Sequence, residues 1–332
     1  MKTTVQLFLM CICGIVNTQG QTADKPLYRD PVHDGAADPT VIWNEQANKW
    51  YMFYTNRRAN VDSLDTISWV HGTQIGIAES SNGGASWKYK GICNIDYRPT
   101  EEYSYWAPDV IENKGIYHMY LTYVPGIFSD WYHPRKIIHL TSTDLLSWKF
   151  ESELKLASER CIDADVIRLP NGKWRLFYNN ENDGKSIYYT DSDDLYHWPN
   201  KSKKAAKDRG EGPVTFKWKG KFWMICDSWD GLSVYSSTDL ATWNKQAHNI
   251  LKEPGKGIDD KVKGGHPDVV ISNDKAYVFY FTHPGRVPSS KGIDTYETRR
   301  SSIQVAELYY NVEDQSIGCD RNKKASISLI PN

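Results

Sequence analysis

Cysteine is scarce in this chain: six in 332 residues, with Cys11 and Cys13 inside the N-terminal apolar stretch. The other four, Cys93, Cys161, Cys226 and Cys319, make no close pair and no metal-ligand spacing. A disulfide framework and a zinc site are therefore not indicated, and isolated buried thiols are expected. An excess of either charge is missing too. Forty basic residues face 41 acidic ones, for a net charge of −1. That balance argues against nucleic acid or an anionic membrane as the main partner. After residue 20 no apolar run is long enough to span a bilayer. No linker rich in Pro, Gly or Ser divides the chain, and no helical periodicity separates its apolar segments.

What is abundant is aromatic: 13 Trp and 21 Tyr. Such residues suit pleated, half-buried surfaces, and they also suit stacking on sugar rings. The N-terminus reads as an export signal. Lys2 supplies a positive start, Val5 to Val16 is apolar but short, and Thr18-Gln19-Gly20 offers small residues before a cut ahead of Gln21. The expectation is a signal peptide over residues 1–20, one domain over 21–332, and a secreted or periplasmic protein. A lipoprotein anchor at Cys11 or Cys13 fits less well, because Met10 and Ile12 are a poor lipidation box.

The rest of the chain repeats. Asp38-Pro39-Thr40-Val41-Ile42, Ala107-Pro108-Asp109-Val110-Ile111, Asp163-Ala164-Asp165-Val166-Ile167, Glu211-Gly212-Pro213-Val214-Thr215 and His266-Pro267-Asp268-Val269-Val270 share one frame with Val fourth. They start 69, 56, 48 and 55 residues apart. After each comes a turn, such as Asn171-Gly172, then an apolar-aromatic strand such as Trp50 to Tyr54 or Trp174 to Tyr178, then a third strand. Four units close on a turn and a Trp: Asn82 with Trp87, Asp144 with Trp148, Asp194 with Trp198, and Asp239 with Trp243. Short strands repeated at such intervals predict an all-β, five-bladed β-propeller with about four antiparallel strands per blade. A β-sandwich has no reason to repeat this way.

In a propeller the innermost strands line the axis, so the first position of every frame converges on one mouth of the channel. Those positions hold Asp38, Ala107, Asp163, Glu211 and His266. Polar side chains there can simply cap the channel or hold ordered water. Separated carboxylates can also flank a glycosidic bond, one protonating the leaving oxygen and one deprotonating water, which inverts the anomeric centre.

The motifs resemble glycoside hydrolase family 43, five-bladed propellers acting mostly on arabinose- and xylose-containing glycans. Ala37-Asp38-Pro39 resembles the segment of the family's general base. Ile162-Asp163-Ala164 resembles that of its pKa-modulating Asp, and Glu211-Gly212-Pro213 that of its general acid. Trp106-Ala107-Pro108 and Gly265-His266 also match, over roughly residues 28 to 308. The resemblance implies an inverting glycosidase on arabinose-, xylose- or galactose-containing carbohydrate, α-L-arabinofuranosidase or β-xylosidase in type. It implies Asp38 as base, Glu211 as acid and Asp163 as modulator. His266 is then expected near the axis, touching water or a hydrated cation such as calcium, with no cofactor required. Blade three departs from the family by reading Ile-Asp-Ala-Asp, so Asp165 competes with Asp163; register favours Asp163.

Substrate contacts are expected from Tyr105 and Trp106, from His266, and from Arg299 or Arg300 before the last long strand. Arg57, Arg58 and the rim segment Trp131-Tyr132-His133 are further candidates. The loop from Arg57 to Gly72, with Trp69 and His71, is long enough to set substrate choice by itself. Four readings compete. A noncatalytic carbohydrate-binding propeller shares the composition but has no use for a separated base and acid. Invertase-like and phosphorylase propellers share parts of the architecture. A sialidase would explain the Asp-box-like Ser80 to Trp87 turn, but it needs an arginine cluster that the sequence does not assign. A monomer is expected.

Overall fold

The structure is a computed structural model that describes residues 20–62 and 64–331; residues 1–19, which carry most of the expected signal peptide with Cys11 and Cys13, lie outside them. No described helix is long and apolar enough to cross a membrane. Nearly all the regular structure of the described chain is strand, arranged as a five-bladed β-propeller. The inner strands of blades one to five are Ala36–Asn44, Ser104–Asn113, Cys161–Arg168, Glu211–Trp218 and Gly265–Ser272. Each is followed by three further antiparallel strands stepping outward, and blade two gains a fifth strand, Asn94–Ile95, on its outer edge. Each inner strand packs on the inner strands of both neighbouring blades, which closes the ring.

Blades bury both faces, so their middle strands are apolar runs rather than alternations. Met52-Phe53-Tyr54, Met119-Tyr120-Leu121, Leu176-Phe177-Tyr178 and Val278-Phe279-Tyr280 are fully buried. The main cores accordingly lie between consecutive blades, five in all around the ring. The blade-closing turns work as capped corners. Asp144 accepts the N–H groups of Leu146 and Ser147, Asp194 those of Tyr196 and His197, and Asp239 those of Ala241 and Thr242. Leu145, Leu195 and Leu240 turn the corner at positive φ and are fully buried. Trp148 and Trp198 are buried beneath their corners, whereas Trp243 is only partly covered. The four described cysteines are free thiols.

The ring is fastened by its ends. Gln21–Thr22 pairs with Ser326–Ile327, Tyr28 bridges to Ile303 of blade five, and Lys25 and Arg321 both reach the fully buried Asp260.

One expectation is corrected here: blade four is out of step with the shared frame by one residue. Every inner strand carries a bulge at its channel end, after which Thr40, Asp109, Asp165, Val214 and Asp268 pair with Phe53, Tyr120, Phe177, Ile225 and Phe279. Val214 is therefore the equivalent of Thr40, and Thr215 takes the place of the Val in the other four blades. The first frame position is Gly212, not Glu211. Backbone angles agree: Asp38, Ala107, Asp163, Gly212 and His266 all have positive φ. Glu211 stands one residue earlier, level with Ala37, Trp106, Ile162 and Gly265.

Candidate active site

The bulge explains how the site is aimed. A residue at positive φ breaks the strand's alternation and turns its side chain toward the channel mouth. At four of the five bulges the exposed main-chain N–H is taken by the neighbouring blade. Ala107 N donates to Thr55 Oγ1 (2.8 Å), Asp163 N to Thr122 Oγ1 (3.0 Å), and His266 N to Asp227 Oδ2 (3.1 Å). Gly212 N instead donates to the Asp163 carboxylate at 3.1 Å. Gly212 has no alternative residue: a Cβ there would lie 2.7 Å from His266 Nδ1.

Asp38, Asp163 and Glu211 line one cavity of about 1210 Å³ at the channel mouth, together with Trp106 and His266. Their surroundings separate their chemistry. Asp38 is buried, which alone would raise its pKa. The Arg57 guanidinium, at 2.9 and 3.0 Å from its two oxygens, and His266, at 3.4 Å, outweigh burial and hold it below the ordinary carboxylate value. Asp163 has no cation against it; burial and the charges of Asp38 and Glu181 push it up to about 8. Glu211 is also pushed up to about 8 by burial, with Asp163 and Asp227 adding to the rise and Lys185 opposing it.

Several members of the site have no signal in the repeat. Glu181 is almost wholly buried and ion-paired to Arg135 (2.9 Å) and Lys185 (3.0 Å), and Lys185 reaches Glu211 at 3.4 Å. Glu181 and Lys185 belong to a five-residue turn after blade three's second strand, so nothing in their spacing marks them. Asp227 could have been found: it occupies in blade four the place of Thr55 and Thr122. Arg57 is held in turn by His283, whose Nε2 accepts from Arg57 at 3.1 Å while Nδ1 donates to the Arg300 carbonyl at 3.0 Å. Burial keeps His283 well below the usual imidazole pKa, so it stays neutral and can accept.

The expected substrate contacts divide. Trp106 is at the cavity wall, fixed by its Nε1 to Val70 O at 2.7 Å and by Arg135 over its ring. Trp131, half of whose surface is open, and the exposed Tyr132 also line the cavity. Tyr105 does not. It is fully buried in the core between blades one and two, because adjacent strand residues point to opposite faces. Arg299 and Arg300 do not line the cavity either. Arg299 is clamped to Asp294 and to the carbonyls of Val61 and Leu64, and Arg300 to Asp259 and Glu297. Arg58 likewise turns inward, to the carbonyls of His71 and Ser68. Asp165 is engaged below the mouth, accepting from Thr215 N and Oγ1.

Comparison with solved structures decides which fold this is. A thermostable family-43 glycoside hydrolase aligns over 92% of this chain and 98% of its own, with a TM-score of 0.64 at 19% identity. The chain has the fold of the family-43 glycoside hydrolases. A family-43 β-1,3-galactosidase with galactodeoxynojirimycin aligns over 92% and 99% at 15% identity, TM-score 0.65. A family-43 β-xylosidase/α-arabinofuranosidase from a compost microbial metagenome, in complex with xylotriose, aligns over 90% and 97% at 16% identity, TM-score 0.63. No family model matches the sequence, and no curated protein matches it.

Family-43 resemblance raised a calcium ion beside His266. Among the described residues no three His, Cys, Asp or Glu side chains gather to hold a metal. The carboxylate beside His266, Asp38, is already engaged by Arg57. The residues present do not form a direct metal cage.

Proposed function

We infer that the protein is an inverting glycoside hydrolase of the family-43 type, secreted or periplasmic, acting on arabinose-, xylose- or galactose-containing glycans. The observation that carries this reading is the contrast between two carboxyls in one cavity: Asp38 clasped by the Arg57 guanidinium at 2.9 and 3.0 Å, and Glu211 facing only Lys185 at 3.4 Å and raised to about 8. Carboxyls in contrasting environments are the requirement for simultaneous base and acid catalysis at neutral pH. Asp38 takes a proton from the attacking water as the glycosidic bond breaks, and Glu211 delivers its proton to the departing oxygen. Asp163 accepts Gly212 N–H and so fixes the strand that carries Glu211, and repulsion between the two carboxylates keeps a proton on the pair. Trp106 supplies a ring face against which a sugar can pack. The chemistry uses side chains and water alone.

The test is a leaving-group series. Asp38→Ala is expected to abolish turnover of every aryl glycoside, since no second group activates water. Glu211→Ala is expected to cost about 100-fold or more with poor leaving groups and far less with dinitrophenyl glycosides, which depart without protonation. Equal losses across the series would show that Glu211 is not the acid. A noncatalytic sugar-binding propeller would give no turnover in the parent protein while still binding the released sugars.

A further inference from the structure

The floor of the cavity is acidic, whereas cations prevail at its rim, where the lining carboxylate Asp294 is clamped by Arg299. Arg209, Lys263, Arg286 and Lys291 line the cavity and are exposed at its mouth. None of the four forms an ion pair with a described carboxylate. Elsewhere this fold pairs its structural guanidiniums: Arg135 with Glu181, Arg175 with Asp191, Arg299 with Asp294, Arg300 with Asp259, Arg321 with Asp260. Arg286 breaks that habit, and it is the most fixed of the four. Its Nε donates to Thr298 O at 2.9 Å, which sets the plane of the guanidinium and leaves both terminal nitrogens without a described acceptor. Its carbon lies 5.7 Å from the ring centre of Trp69, itself a cavity residue. The segment that carries it is braced at its far end. Thr295 and Thr298 form a capping box, and Arg299 ties the segment to Asp294 and to the long first-blade loop. The two arginines expected to bind substrate thus anchor the segment that presents a third.

We propose that the cavity accepts an acidic glycan, with Arg286 receiving the anionic group of a sugar beside the one that is cleaved, a uronate carboxylate or a sulfate ester. This rests on the hydrolase reading of the same cavity. A neutral glycan offers no counter-charge to four unpaired cations, whereas an anion meets them all in one field. A guanidinium held in plane by one Nε bond keeps its two outer nitrogens parallel, the geometry that grips a carboxylate or sulfate by two bonds. Because Arg286 is already ordered, little side-chain entropy is lost on binding. The nearby Arg57 charge repels Arg286, so an arriving anion relieves a repulsion that already exists.

The experiment is calorimetric binding of digalacturonic acid, galactobiose and a galactobiose sulfate to the full chain, at low and at high salt. At low salt at least one acidic disaccharide should bind about tenfold or more tightly than galactobiose, and high salt should erase the difference. Arg286→Gln should lose that preference and keep galactobiose affinity; Arg286→Lys, which keeps charge without the fork, should fall between. The tighter acidic probe identifies carboxylate or sulfate as the source. Absence of a preference in the parent protein, or a preference that survives Arg286→Gln, would overturn the proposal. Turnover of neutral aryl glycosides is measured alongside. Turnover without acidic preference sinks this inference alone, and acidic preference without any turnover sinks the hydrolase reading alone.

Discussion

Three carboxylates in a shared cavity differ because of what lies within a few ångströms of each. Asp38 faces a guanidinium, Glu211 a single amine at 3.4 Å, and Asp163 an N–H group and no cation. In the proposed mechanism Glu211 must be protonated to work, so activity should fall as pH rises through about 8, the position to which Glu211 is pushed. Asp163→Asn removes a negative neighbour, lowers the Glu211 pKa, and should move that alkaline limb to lower pH by about one unit. Lys185→Met removes the opposing cation and should move it the other way. A kcat/KM profile of both variants reads the two shifts; movement in the same direction would refute the assignment. Asp38, Asp163, Glu211, Trp106 and His266 were legible because the repeat marks the strand ends that meet at the mouth. Tyr105, Arg299 and Arg300 misled because proximity in sequence says nothing of which face a strand residue takes or which carboxylate an arginine finds.

At the level of the strand, the blade-four frame shows how a repeat deceives. Val214 matched the Val of the other blades by identity, yet its cross-strand partner, Ile225, makes it the equivalent of Thr40. Pairing decides register, and pairing was not visible in one strand read by itself. The consequence is that Glu211 projects from one residue before the bulge while Asp38 and Asp163 project from the bulge itself. Gly212→Ala places a Cβ against His266 at positive φ and should cost about 2–4 kcal/mol, by strain and by overpacking. Ala107→Gly at the equivalent bulge, where φ is 44°, should lie within about 1 kcal/mol of neutral, because relief of strain offsets added chain freedom. Chemical denaturation of the two variants tests this; similar losses for both would mean that the bulge does not set the glycine's role.

Across the whole molecule, carboxylates staple neighbouring blades along the axis below the site. Asp268 accepts Val41 N at 2.7 Å, Asp109 accepts Val166 N at 2.9 Å, and Asp165 accepts Thr215 N at 3.1 Å. Asp109 and Asp268 keep some contact with the channel, while Asp165 is buried. Burial pushes Asp268 up to about 6 and Asp165 to about 7, the Asp268 charge adding to the rise at Asp165, and burial with the charges of Asp165 and Asp268 takes Asp109 well above the ordinary value. A carboxyl whose folded pKa is raised stabilises the fold fully below its unfolded value and loses that contribution as pH rises through the folded one. Thermal stability should therefore decline between about pH 4 and pH 8. Asp109→Asn keeps an oxygen for Val166 without the charge, and should raise Tm at pH 8 by about 2–4 °C while changing little at pH 5. A variant less stable at pH 8 than the parent would show that the ionised form is the one the axis requires.

The sequence alone determined the blade number, the strand order and the five strand ends that meet at one mouth, because each blade is a local unit whose pattern recurs along the chain. It also placed Asp38, Asp163 and Glu211 at that mouth, since their neighbours in sequence are their neighbours on the strand. Only the tertiary structure decided the one-residue step of blade four, the Glu181–Lys185 pair behind Glu211, the His283 that holds Arg57, and the unpaired Arg286 at the rim. Each of those depends on which chain segment packs opposite, a relation set by ring closure across many residues and carried by no local pattern.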